Sequence, residues 1–190
     1  SGKKWDAFKE THVGRDLFLQ DDIDQSAAMV REVEATLPWL FRGGAGANES
    51  TILWRDGLTN LLLKCRPDRV LNPHEGSEPI VAIDGKFVDD WSPSAFRRSS
   101  RNLRYDLQAA HYEAGMMELW GRYAKFLFLV VPSEGPYDAA RLYEMSRERK
   151  IQAEKDHRAL LADLASRARS GDWSDPGEDE ILPIDWKDWK

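Results

Sequence analysis

From Tyr123 to Val131 the chain is an almost unbroken apolar run, interrupted only by Lys125. A strand with one wet face alternates polar and apolar residues, and this run does not, so it reads as a β-strand buried on both faces. Such a strand needs helical cover on both sides. The chain offers that cover before and after the run, within a length of 190 residues that suits one domain and one substantial core.

From Asp21 to Leu37, Ala27, Val30, Val33 and Leu37 recur every three or four residues, which predicts an amphipathic helix stopped by Pro38. The segment ahead of it, Trp5 to Arg15, has no firm period and reads as irregular or weakly helical. Gly43-Gly44-Ala45-Gly46 breaks the chain, and three β-type runs follow: Ser50 to Arg55, Leu61 to Leu71 and Pro79 to Val88. Turn signals at Asp56-Gly57 and Asn72-Pro73 separate them and suggest a meander. Pro93 to Gly121 returns to helical spacing as a short helix leading into a longer one. Ala139 to Met145 reads as an edge strand. A last helix runs from an N-cap at Ser146 to a stop at Gly171, with Leu160, Leu161, Leu164 and Ala168 as its apolar face. The remaining tail, acidic and rich in Trp, reads as an extended segment that Trp186 and Trp189 can dock on the body.

Charge is uneven. The whole chain carries −6, but Ser170 to Lys190 holds seven acids against Lys187 and Lys190, leaving the preceding body close to neutral. Arg97, Arg98, Arg101 and Arg104 form a local basic stretch in that body, so an acidic total does not exclude a nucleic-acid partner. Cys65 is the single cysteine, which rules out an internal disulfide and a cysteine zinc cluster and fits a reducing cytosol. No apolar run approaches the roughly 20 residues that cross a bilayer, so no membrane association is expected.

The chemistry concentrates in the second and third β-type runs. Side chains alternate along a strand, so Lys64, Arg66 and Asp68 share one side of the second run, and Asp84 and Lys86 share one side of the third. Val81, Ile83 and Phe87 mark the third run as central. Charges on a central strand must pair, bind a metal or line a cleft, because burying either one unpaired costs several kcal/mol. If the two runs are neighbours, Asp68 and Asp84 come close enough for a hard divalent cation, with the Gly85 carbonyl as a third oxygen. Lys86 then stands where an ammonium orients a water or steadies a phosphate in phosphodiester hydrolysis. The same spacing is equally served by a turn residue after Pro67 and a structural Asp84–Lys86 ion pair. Tyr105, Gln108 and Tyr112 fall on one helical face, with Arg97, Arg101 and Arg104 as a series upstream. These groups bond phosphate oxygens well, although taken singly Tyr105 and Tyr112 are more often core aromatics with satisfied hydroxyls and the arginines a solvated face.

Arg66-Pro67-Asp68, Ile83-Asp84-Gly85-Lys86 and Tyr105-Asp106-Leu107-Gln108-Ala109-Ala110-His111-Tyr112 resemble, in that order, the motifs of PD-(D/E)XK nucleases of the RecE and RecB type. The likeness extends to Trp5-Asp6-Ala7-Phe8, to the helix around Met29 and to Ile181-Leu182-Pro183, and so covers most of the chain. It implies a restriction-endonuclease-like α/β fold: an αβββαβ core with a mixed four-stranded sheet flanked by helices, and a cleft at the kinked second and third strands. It implies that Asp68 and Asp84 bind Mg2+ or Mn2+, helped by the Gly85 carbonyl and by Glu49, and that Lys86 assists the attacking water. Gln108, with Tyr105 or Tyr112, would steady a substrate also held by Arg66, Arg97, Arg101 and Arg104. Relatives often carry a histidine on the helix before the sheet; here none occurs between Asp21 and Leu37, so either Glu32 or Glu34 substitutes or one metal position is weaker. The expected activity is that of a DNA exonuclease acting on duplex ends in recombination or repair, in bacterial or phage-infected cytoplasm, with a single-strand annealing protein as a partner. An endonuclease on the same fold and a non-cleaving DNA-binding protein are the rivals. Related nucleases form rings, so a homo-oligomer is left open.

Overall fold

The computed structural model describes residues 2–14, 18–41, 46–71 and 80–174. The Asn72-Pro73 turn, most of the glycine-rich breaker and the tail from Asp175 onward lie outside the described residues. The N-terminal segment is a regular helix, α1 (Gly2–Thr11), with no buried residue. The irregular expectation therefore fails there: Trp5, Phe8 and His12 stack on one another along a single helical face, a local order that needs no core. Helix α2 (Gln20–Thr36) matches its predicted span, and Pro38 opens a 3-10 turn immediately after it.

Seven strands follow among the described residues: β1 (Gly46–Asn48), β2 (Ile52–Arg55), β3 (Leu62–Cys65), β4 (Arg69–Leu71), β5 (Ile80–Val88), β6 (Ala124–Pro132) and β7 (Arg141–Tyr143). Five of them form a mixed sheet in the order β1-β4-β5-β6-β7, and β2 pairs with β3 as a separate hairpin. The sheet thus has one strand more than expected, because Gly46 to Asn48 pairs with β4 as an edge. Leu61 to Leu71 is not one strand either. It bends at Arg66-Pro67-Asp68, where Pro67 is fully buried and has no N–H to extend a ladder, so its first half joins the hairpin and its second half the main sheet.

The parallel β5–β6 pair is the spine of the domain, in register over nine residues from Ile80↔Ala124 to Val88↔Pro132. On one face Ile80, Ala82, Phe126, Phe128 and Val130 pack against α3 (Pro93–Asn102) and α4 (Tyr105–Trp120) through Phe96, Ala109 and Met116. On the other, Ile83 and Leu127 meet Leu40, and Val131 meets Val33 of α2. The apolar run is therefore covered on both sides, as its composition demands. Ser92 caps α3, accepting from the Ala95 N–H at 3.3 Å, and Pro93 follows at the first helical position, where a missing N–H costs nothing.

Helix α5 (Arg147–Ser170) starts at Ser146 and stops at Gly171, whose φ of 72° suits a residue without Cβ. Its buried face is not the leucine stripe. Ala153, His157, Leu161 and Ala165 are buried while Leu160 and Leu164 are exposed. The buried positions recur every four residues, and Ala153 and Ala165 at the two ends of that row let α5 lie close against α4.

Candidate active site

Asp84 and Lys86 project from β5 toward α4, on the face that carries Phe128 and Val130 of β6. Asp84 is 6% exposed. Its Oδ1 accepts from Gln108 Nε2 at 2.8 Å, and its Oδ2 lies 2.5 Å from Lys86 Nζ. Among the described residues Lys86 is the one partner of Oδ2, a buried oxygen to which no other group donates. Burial pushes the Asp84 pKa above the ordinary carboxylate value; Lys86 opposes the shift and the nearby Asp68 charge adds to it.

Asp68 reaches the same place from the bend that splits the second run. Its carbonyl accepts from the Glu49 N–H at 2.9 Å, and its Oδ2 accepts from the Gly85 N–H at 2.7 Å, just past the Arg69↔Ile83 pair where the β4–β5 ladder ends. The carboxylate therefore substitutes for a strand partner. A strand residue points its N–H and C=O to the same edge, so the Gly85 carbonyl opens where Asp68 stands. A Cβ on Gly85 would sit 3.4 Å from Asp68 Oδ2, an ordinary contact.

Asp84, whose ionisation the neighbouring Asp68 charge disfavours, and Asp68 itself form an oxygen donor set suited to a hard divalent cation. Magnesium keeps several waters, so two carboxylates and a carbonyl suffice for it. Among the described residues no group of three or more His, Cys, Asp or Glu side chains gathers as a ligand cluster. Glu49 has a left-handed φ of 51° and its carboxylate pairs with Arg66 at 3.0 Å, both side chains more than half exposed. Glu32 and Glu34 are exposed on α2, which packs on the opposite sheet face through Val33. The structure does not bring them to Asp84.

Helix α4 delivers the predicted face. Beyond Gln108, Tyr112 donates to the Arg66 carbonyl at a long 3.4 Å. Tyr105 presents its ring, with Lys86 Nζ 4.5 Å from the centroid, a contact worth about 0.5–2 kcal/mol. Arg97 and Arg101 are exposed on α3. Arg104 is not free: it bonds Asp106 at 3.1 Å and Asp156 at 2.5 Å.

Sequence reasoning missed His111 and His157. His111 Nε2 lies 3.0 Å from the Lys64 carbonyl, which can only accept, so His111 donates there, and its Nδ1 shares a hydrogen bond with His157 Nε2, also at 3.0 Å. This ties β3, α4 and α5 together directly upstream of Asp68. Burial lowers the His157 pKa to about 4, with His111 and Arg158 adding to the effect and Asp56 opposing it. His111 lies inside the Tyr105–Tyr112 motif, but nothing in its spacing announced a partner 46 residues away. A cavity of about 370 Å³ between α4 and α5, lined by Trp54, Ala110, Glu113, Met117, Lys150 and His157 among others, does not include Asp84 or Lys86. A polymeric substrate calls for an open sheet edge, so the charged strand edge is the better candidate.

A family model described as a PDDEXK-like domain of unknown function (DUF3799) matches residues 3–175. No curated protein matches the chain. Among solved structures, the crystal structure of a "Putative exonuclease" from Eubacterium rectale aligns with a TM-score of 0.56 at 14% identity, covering 97% of this chain and 72% of that one. At that identity the likeness shows a shared fold. A second, SSO0001, aligns at a TM-score of 0.37 and 13% identity over 71% of this chain and 61% of its own, too loosely to carry an argument.

Proposed function

We propose, from the premise that this chain belongs to the PDDEXK-like domain family (DUF3799) and so to the PD-(D/E)XK nuclease superfamily, that it is a divalent-metal-dependent exonuclease hydrolysing DNA phosphodiesters at duplex ends. The observation that carries the reading is the meeting of Asp84, Asp68 and Lys86 where the β4–β5 ladder ends, with Asp84 buried and its Oδ2 paired with the Lys86 ammonium. Asp68, Asp84 and the Gly85 carbonyl would hold Mg2+ or Mn2+. When bound, such an ion lowers the pKa of water and offsets charge on the phosphate.

The chain's own groups supply the rest. Gln108 fixes Asp84 by bonding Oδ1, leaving Oδ2 to face the site. Among the described residues Lys86 is the one ammonium in contact with Asp84, and in this reading it orients the nucleophile and steadies the phosphate oxygens in the transition state. Tyr112 and His111 hold the carbonyls of Arg66 and Lys64, and with them the bend that presents Asp68. Arg66, Arg97 and Arg101, all exposed, are the phosphate contacts of this reading. The preference for ends over internal sites draws support from the name of the Eubacterium rectale protein. Single strands left by such an enzyme would suit recombination with an annealing protein as partner. No described helix is long and apolar enough to cross a membrane.

Linear and closed circular duplexes, each incubated with Mg2+ or Mn2+, test the reading. Metal-dependent loss of the linear form alone is expected; cutting of circles makes the protein an endonuclease, and loss of neither makes it a binding protein. Lys86→Ala should reduce turnover about a thousandfold, within the range for a group acting on a proton or on charge in the transition state, and leave the fold unchanged. Equal turnover in wild type and variant would remove Lys86 from the mechanism.

A further inference from the structure

We propose that Tyr105, backed by Phe128, is a second anchor for the Lys86 ammonium and keeps it in place when Asp84 turns to a metal ion. The inference rests on the nuclease reading above. Lys86 Nζ sits 4.5 Å from the Tyr105 ring centroid and 5.9 Å from that of Phe128. The two rings stack 5.5 Å apart at 23°, and Phe96 lies 6.0 Å from Tyr105, so the ring under the ammonium is itself held in place. Among the described residues the Tyr105 hydroxyl makes no hydrogen bond. Its face, and not its hydroxyl, is the part in use.

The need for a second anchor follows from competition at Asp84. Oδ2 is the partner of Lys86 and also the oxygen best placed for a divalent cation. Once it serves a cation, that ion repels the ammonium, and a lysine's four-carbon stem is flexible enough to swing away. An aromatic face attracts a cation through its quadrupole whatever the state of Asp84. Tyr105 is thus a positioning residue, acting through Lys86 and not on the substrate.

The test joins a spectroscopic and a kinetic arm. Protons of the Lys86 ε-methylene, lying over the ring, should resonate upfield of ordinary lysine in the wild type and in Tyr105→Phe, and keep that shift when Mg2+ is added. In Tyr105→Leu the shift should vanish. Tyr105→Phe should keep kcat within about twofold, while Tyr105→Leu should lose about tenfold, equal to about 1.4 kcal/mol, with KM little changed. Should Tyr105→Leu not fold, Tyr105→Met replaces it with the same expected readings. An ordinary Lys86 chemical shift in the wild type, or equal kcat in the ring-less variant, would overturn the proposal. So would a rise in KM in Tyr105→Phe matching that in Tyr105→Leu, since the hydroxyl would then be touching DNA. If the wild type hydrolyses no DNA, the nuclease reading fails alone and the methylene shift still decides the anchor.

Discussion

Asp84 and Asp106 are both buried carboxylates, 6% and 2% exposed, and they have opposite fates. Burial alone pushes each pKa up. At Asp106 that push is outweighed by Arg104 and Arg149, which both bond the carboxylate, and its pKa ends below the ordinary value. At Asp84 one lysine and one amide do not outweigh burial and the neighbouring Asp68, and the pKa ends above it. The first group is satisfied by the chain and belongs to the α4–α5 framework. The second has only Gln108 and Lys86 as partners, where the β4–β5 ladder ends, and its raised pKa fits the cation site proposed above.

The contrast can be sharpened with a third buried ionisable group. His157 stays neutral in the fold at about 4 against an ordinary 6.5, so between those values the unfolded chain binds a proton that the native protein does not. Stability should therefore fall as pH drops from about 6.5 toward 4, by at most about 3 kcal/mol. Denaturant titrations at pH 7 and 4.5 should show a smaller drop in His157→Gln than in wild type; equal drops would mean that His157 contributes nothing. Next in size, Asp106→Asn should lower stability by about 2 kcal/mol, the scale of lost charged hydrogen bonds. Asp84→Asn should be neutral or slightly stabilising, because the fold already disfavours that charge. Thermal melts at neutral pH that reverse this order would break the comparison. The smallest effect is expected at Gly85→Ala. Its Cβ would meet Asp68 Oδ2 at 3.4 Å and Phe87 at 3.6 Å without overlap, so stability and hydrolysis should stay near wild type. A large loss of hydrolysis there would show that the strand edge is tighter than its contacts indicate.

Much of this was legible in the sequence because it depends on local rules. Two-residue alternation placed Asp84 and Lys86 on one face, helical spacing placed Gln108 with Tyr112, and Ser146 and Gly171 marked both ends of α5. What was not legible depends on contacts distant in sequence. The bend at Pro67 is open in the sequence alone, because a turn after Pro67 and one continuous strand fit the run equally. The buried face of α5 was set by close approach to α4, which selects Ala153 and Ala165 over Leu160 and Leu164. Arg104 matched a phosphate-binding series, but Asp156, 52 residues on, claims it. Glu49 has the right charge in the right stretch, but its backbone is left-handed and its carboxylate pairs with Arg66.

Calorimetric titration with Mn2+, comparing wild type, Asp84→Asn and Asp106→Asn, bears most directly on the contrast between the two aspartates. Heat of binding should appear in the wild type and in Asp106→Asn with similar affinity and be lost in Asp84→Asn. Undiminished binding by Asp84→Asn would contradict the assignment of Asp84 to the metal.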